Sequence, residues 1–197
     1  MVKLFNRWSW NVEVLDPGLK KYINLKPIIY PDLSRGRHVK NWFGKANVNI
    51  VERLINKMQG PGHKGKKHWF SSGHLTGKKM RLTKIVYEAF EIIERKTKKN
   101  PIEILVRAIE NAAPNEEVTN IEYAGARYPK AVDMSPQRRV DVALRNIVFG
   151  AFSRSIKNKK KASEILAEEI IKAYKNDPSS FAISKKHELH RTADSSR

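Results

Sequence analysis

IEYAGARYPKAVDMSPQRRVDVALR, residues 121–145, carries three signals in one run. Val118 to Tyr123 alternates roughly between apolar and polar side chains. Ala124-Gly125-Ala126-Arg127 then offers a glycine where a turn needs positive φ, and Tyr128 to Met134 returns as a second short strand. The pattern predicts a β-hairpin over residues 118–134. Ser135-Pro136 follows, an N-cap residue with proline at the first helical position, and opens a helix carrying Arg138, Arg139 and Arg145. Asp141 is the only acid between Met134 and Arg154. A ribbon with a basic tip therefore stands beside a helix with a basic face, and the rest of the chain reads as support for that surface.

The charge balance points the same way. The 197 residues hold 39 Lys and Arg against 20 Asp and Glu, a formal net charge of +19. A field of that strength recruits a polyanion, and nucleic acid is the commonest one. An anionic membrane is the rival, but no stretch has the ~18 consecutive apolar residues of a spanning helix. The start, MVKLFNRWSWNVEV, is too polar for the apolar core of a signal peptide, so the expected location is the cytoplasm with no membrane partner. The absence of cysteine excludes disulfides and thiolate metal sites.

Where the charge sits says more than its sum. Residues 60–84 contain seven basic residues and no acid, and 135–162 contain eight basic residues and one acid. Between them, 85–134 carries seven basic and nine acidic residues. Segregation into blocks is what a binding surface requires.

Read in order, residues 1–46 show no sustained period and are expected to form an irregular basic N-terminal extension, with 47–197 as the body. Trp8, Trp10, Trp42 and Phe43 are interleaved there with Arg7, Arg37, Lys40 and Lys45. Such a mixture suits stacking on bases and pairing with phosphates, although each tryptophan has the alternative of packing on the protein's own core. Few apolar residues in 1–46 and 60–78 could offset the entropy of fixing the backbone, so both are expected to be mobile without RNA.

Helical spacing of Ile50, Val51, Leu54, Ile55 and Met58 predicts a first helix over 49–59, stopped by Gly60-Pro61-Gly62. A basic loop with Lys64, Lys66 and Lys67 follows. Its His63, His68 and His74 lack a nearby carboxylate or a regular spacing, so no metal is expected. Leu82, Ile85, Val86, Ala89, Phe90 and Ile93 make the core stripe of a second helix over 80–98. Asn100-Pro101-Ile102-Glu103 opens a third with the residues of a capping box, and Pro114 closes it. Val140, Ala143, Leu144, Ile147, Val148, Ala151 and Phe152 form the buried face of the fourth, with Arg154 on another face and Lys157 in the basic connector beyond it. A fifth helix is expected over 160–175, and a short basic one from Ser184 with Lys185, Lys186 and Arg191. The fold class is thus mainly α: a bundle of five to six helices with a hairpin inserted between the third and fourth.

No catalytic constellation is present. Gly77-Lys78-Lys79 lacks the glycine spacing and hydroxyl of a phosphate loop, and HELH at 187–190 sets its histidines three apart where a zinc protease needs four. Glu88, Glu91, Glu94 and Glu110 fall on helix faces that read as solvated and salt-bridging. The chain reads as a binder with no cofactor, not an enzyme. An architectural DNA-binding protein with a basic β-ribbon is an alternative, although Ala124-Gly125-Ala126-Arg127 offers no apolar wedge for a minor groove. An RNA-processing enzyme has only scattered histidines in its favour.

Several motifs, in order along nearly the whole chain, resemble the universal small-subunit ribosomal protein seven family in its archaeal and eukaryotic branch. They are IVERLINKM at 50–58, GKKMRLTKIVYEAFEII at 77–93, NPIEILVRAIENAAP at 100–114, AGARYPKAVDMSPQRRVDVAL at 124–144 and the closing SFAISKKHELHRTADSSR. Leu4, Phe5, Trp8 and KNWFGKA at 40–46 fit the same branch. The resemblance implies a helical bundle with a β-ribbon, bound to the rRNA of the small-subunit head, nucleating its assembly and lying near the exit-site tRNA and mRNA path. Neighbouring head proteins are the further partners it implies. The rRNA candidates are then Lys64, Lys66, Lys67, Lys78, Lys79, Arg81, Arg138, Arg139, Arg145, Arg154 and Lys157. Arg127, Tyr128 and Lys130 are the ribbon candidates for rRNA or the tRNA–mRNA path, and Lys185, Lys186 and Arg191 belong to the tail.

Overall fold

The computed structural model describes residues 2–31, 34–61 and 75–197, and the backbone of short strands at 63–64 and 67–68. The chain opens with a small hairpin, β1 (Lys3–Leu4) and β2 (Trp8–Ser9). Two 3-10 turns, Arg37–Lys40 and Gly44–Asn47, lead into α1 (Ile50–Met58), the strands β3 (His63–Lys64) and β4 (Lys67–His68), then α2 (Lys79–Thr97) and α3 (Pro101–Ala112). The long hairpin of β5 (Glu116–Tyr123) and β6 (Ala126–Asp133) separates these from α4 (Pro136–Ser155), α5 (Ala162–Tyr174) and α6 (Phe181–Asp194). This is the mainly α bundle with an inserted ribbon that the periodicity predicts.

Local chemistry explains the helix boundaries. The Asn49 side chain accepts a hydrogen bond from the Val51 amide at 2.9 Å, and Asn100 does the same for Ile102 at 3.1 Å. Lys98 closes α2 in the left-handed region, with φ of 55°. Ser135 occupies the expected cap position before α4, but its side chain makes no capping bond. Pro136 starts that helix with its preset φ and no amide to satisfy.

α3 is buried nearly all round: Ile102, Ile104, Leu105, Val106, Ala108 and Ile109 are all fully enclosed. One side packs on α5, which also touches α2, α4 and α6. The other side is covered by the N-terminal segment. Asn100 donates to the Ser9 carbonyl at 2.7 Å, and a Glu110 carboxylate oxygen accepts the Leu15 amide at 2.7 Å and the Asp16 amide at 3.1 Å. Glu110 is therefore not on a solvated face; a covering strand unseen by helical periodicity encloses it.

The same segment corrects the expectation of mobility in its first part. Leu4, Trp8, Trp10, Leu19 and Ile23 all lie in the hydrophobic core. Trp8 meets Phe90 edge-on with ring centroids 5.6 Å apart, and Trp10 donates to the Ile28 carbonyl at 3.0 Å. Large aromatic rings bury roughly 150–250 Å² each, so a few such anchors offset the ordering of a long irregular strand. Trp42 and Phe43 take the other option and stay exposed.

The ribbon turns on two residues, Ala124 with φ of 50° and Gly125 with φ of 81°, the conformation of a tight primed turn. Ala126 and Arg127 are consequently already in the second strand. Register runs from Glu116 opposite Asp133 to Tyr123 opposite Ala126. Every residue from Thr119 to Lys130 is exposed, so the outer ribbon projects clear of the bundle.

α6 begins at Phe181 and not at Ser184. Glu169 on α5, wholly buried, accepts the Ser180 hydroxyl at 2.8 Å and pairs with Arg154 on α4 at 2.7 Å. This knot fixes the start of α6 by tertiary contact. Gly150 of α4 faces it: a Cβ there would lie 2.7 Å from the Phe181 Cβ.

Candidate nucleic-acid interface

α2 starts with Lys78 at its cap and Lys79 and Arg81 in its first turn, with no acid among them. The helix N-terminus already carries partial positive charge, so these cations reinforce it. Lys78 and Arg81 are exposed and also line, with Met58 of α1 and Phe152 of α4, a cavity of about 270 Å³. The structure thus brings the loop–helix cations beside the basic fourth helix. Lys79 turns inward to the buried Glu52 at 2.8 Å. Burial raises the Glu52 carboxyl, but hydrogen bonds from Lys79 and Ser34 outweigh it and hold the group below the ordinary glutamate range.

The arginines of α4 divide by partner. Arg139 is half-buried, bonded to the Pro114 carbonyl at 3.0 Å and paired with Asp16 at 3.1 Å, so it clamps the N-terminal segment to the foot of the ribbon. Arg154 is held by Glu169 and the Ser179 carbonyl. Arg138 pairs with Glu117 at 2.7 Å yet keeps half of its side chain exposed. Arg145 is exposed and has no carboxylate partner among the described residues. Lys157, in the left-handed region with φ of 56°, is exposed in the connector after α4.

On the ribbon, Arg127 lies opposite Glu122 at a loose 3.6 Å, both largely in solvent. Tyr128 and Lys130 point to the other face, with Ile121 and Thr119 opposite them. In the tail, Lys185 pairs with Glu188 one turn on. Lys186 donates to the Asn111 carbonyl at 2.9 Å, and burial holds it below the ordinary lysine value. Arg191 is exposed. The side chains of Lys64, Lys66 and Lys67 lie outside the described residues, as do His63, His68 and His74. His190 of the HELH run accepts the Asn115 amide at 3.1 Å, a structural contact at the foot of the ribbon.

Sequence reasoning misses one cluster. Arg53 and Lys57, four apart on α1, face Lys45 of the second 3-10 turn and Asp141 of α4. Their i, i+4 spacing is the signal that could reveal them, but the apolar stripe of α1 dominates its reading. Among the described residues no group of three or more His, Asp or Glu could hold a metal ion. No described helix is long and apolar enough to cross a membrane.

The chain matches the family model described as ribosomal protein S7p/S5e over residues 19–197. It is also 56% identical over 197 residues to the small ribosomal subunit protein uS7 of Nanoarchaeum equitans (strain Kin4-M), covering 100% of this chain and 99% of that protein. The motifs, the bundle with its ribbon and the match through nearly the whole length agree: the chain belongs to the ribosomal protein S7p/S5e family.

Proposed function

We propose that this protein is a structural, rRNA-binding component of the small ribosomal subunit. It anchors on the rRNA of the head, helps nucleate head assembly, and extends its ribbon toward the exit-site tRNA and mRNA path. The observation that carries the reading is a set of exposed cations with no carboxylate partner among the described residues: Lys78 and Arg81 of α2, which meet Met58 of α1 and Phe152 of α4, and Arg145 of α4, close to Lys57 of α1. Cations of this kind contact phosphates and set register, while irregular RNA shape supplies selectivity. Lys157 extends the surface beyond α4. Arg138 borders it at the foot of the ribbon, and Arg127, Tyr128 and Lys130 occupy its exposed arm. Arg139, Arg154, Lys79 and Lys186 serve the same surface indirectly, by fixing the elements that present it. Neighbouring head proteins complete the set of partners.

A titration of the purified chain against a small-subunit rRNA head fragment, across a salt series and with duplex DNA and an unrelated structured RNA as competitors, tests this. Selective binding that persists at moderate salt is expected. Equal affinity for all three would overturn the reading, since generic charge attraction does not discriminate sequence or shape.

A further inference from the structure

A cavity of about 160 Å³, lined mainly by polar and charged residues, lies where the N-terminal segment, α1 and α4 meet. His38 and Lys45 line it from the two 3-10 turns, Arg53 and Lys57 from α1, and Asp141 from α4. Three full positive charges thus surround one carboxylate, and Arg145, one turn beyond Asp141, adds a fourth close enough to repel Lys57.

The single acid is already used. Asp141 takes Arg53 on one oxygen at 3.1 Å and Lys45 on the other at 2.9 Å. Lys57 is left without a hydrogen-bond acceptor among the described residues. Arg53, only 3% exposed, is spent on Asp141 and on the Tyr22 carbonyl, and protein encloses its Nε. Buried donors normally find acceptors, so a lysine left over beside an open space whose single carboxylate is already taken marks a place where an acceptor arrives from outside. Burial, together with repulsion from Lys45, Arg145 and Arg53, holds Lys57 below the ordinary lysine value despite the attraction of Asp141, and an incoming anion would relieve that crowding.

The space suits one tetrahedral oxyanion. At ~30 Å³ per water, 160 Å³ holds about five waters, enough for a phosphoryl group with residual hydration. The positive surplus excludes a metal cation. Between His38 and Lys45 the chain carries Trp42, 93% exposed, and Phe43, 64% exposed, as free aromatic faces. An aromatic platform next to a phosphate site fits an unpaired nucleotide, whose base is free to stack.

We propose that this cavity is a socket for one backbone phosphate of single-stranded RNA, gripped by Lys57 and Lys45 with the buried charge of Arg53 behind them. The socket rests on the RNA-binding reading above and adds a contact that the exposed cations of α2 and α4 do not provide.

The test compares the full chain with its Lys57→Gln and Lys57→Arg variants in the rRNA titration, alongside urea unfolding. Lys57→Gln is expected to flatten the plot of log affinity against log salt by about 0.7–0.9, the loss of one phosphate contact, without lowering the urea midpoint. Lys57→Arg is expected to retain the wild-type slope. If the wild type selects the head fragment and Lys57→Gln keeps its slope, the socket is overturned and the rRNA reading stands. If the wild type shows no selectivity, that reading falls and inorganic phosphate decides the socket. A saturable shift of the Lys57 side-chain NMR resonance on adding phosphate supports it, and an unmoved resonance overturns it.

Discussion

Arg53 on α1 and Asp141 on α4, 88 residues apart in sequence, meet at 3.1 Å with the arginine almost fully buried. The pair joins the first helix to the fourth, and Arg53 also donates to the Tyr22 carbonyl at 2.7 Å, tying in the N-terminal segment. It explains the lone acid in the basic stretch of α4: Asp141 is the internal counter-ion of three cations from other elements.

Asp141→Asn should therefore be costly. It leaves Arg53 buried beside a neutral amide, and removing one partner of a buried pair costs about 3–5 kcal/mol. Urea unfolding at neutral pH measures it. A change within about 0.5 kcal/mol, the range of ordinary surface substitutions, would show that the pair does not hold the helices together.

Acid should unfold the protein in two stages. His190 lies below the ordinary histidine value, chiefly through burial and then the Lys186 charge. A depressed folded value means that the unfolded chain binds the proton first, so stability falls as pH drops below about 6.5. Burial raises the Asp141 carboxyl, but the Lys45 hydrogen bond and the charges of Lys57, Arg53 and Lys45 hold it low; Glu52 is likewise depressed. Their contribution is complete above the unfolded values of about 3.9 and 4.3 and is lost as pH falls through the lower folded ones. Urea midpoints from pH 8 to 3 should show both steps, and His190→Gln should remove only the upper one.

Gly150→Ala should destabilise by about 1–3 kcal/mol, as overpacking does in a closed interface. Neither the Phe181 Cβ nor the buried Glu169 carboxylate can retreat without moving α6 or breaking the Arg154 pair. A thermal midpoint unchanged in the variant would contradict this.

Trp8→Ala should cost about 3–5 kcal/mol, the range for deleting a large buried aromatic ring. Trp42→Ala should leave the urea midpoint unchanged, because its ring lies in solvent. The two substitutions test whether the N-terminal segment is part of the folded core.

Arg145→Gln and Arg154→Gln should separate binding from folding. The first removes an exposed cation and should flatten the salt dependence of RNA binding by about 0.7–0.9 with an unchanged melting temperature. The second strands Glu169 in the core and should lower the melting temperature. Equal loss of RNA affinity and equal melting in both variants would refute the division.

The sequence by itself determined the helices, the ribbon and the segregation of charge. Periodic apolar residues, Asn100 as a cap, Pro136 at a helix start and Gly125 at a turn all act over a few residues, so they can be read without the fold. The first ribbon strand runs two residues further at the foot than its alternation suggests, because Glu116 pairs with Asp133 across it, and the second strand ends at Asp133, one residue short of Met134. Only the tertiary structure decided which cations face outward. Arg139 meets Asp16, Arg154 meets Glu169 and Arg53 meets Asp141 across long separations in the chain. It also decided that Trp8 packs while Trp42 does not. A charge or a ring has the same local signature whether it is neutralised inside or offered to a partner, and the difference lies in which distant residue the fold brings against it.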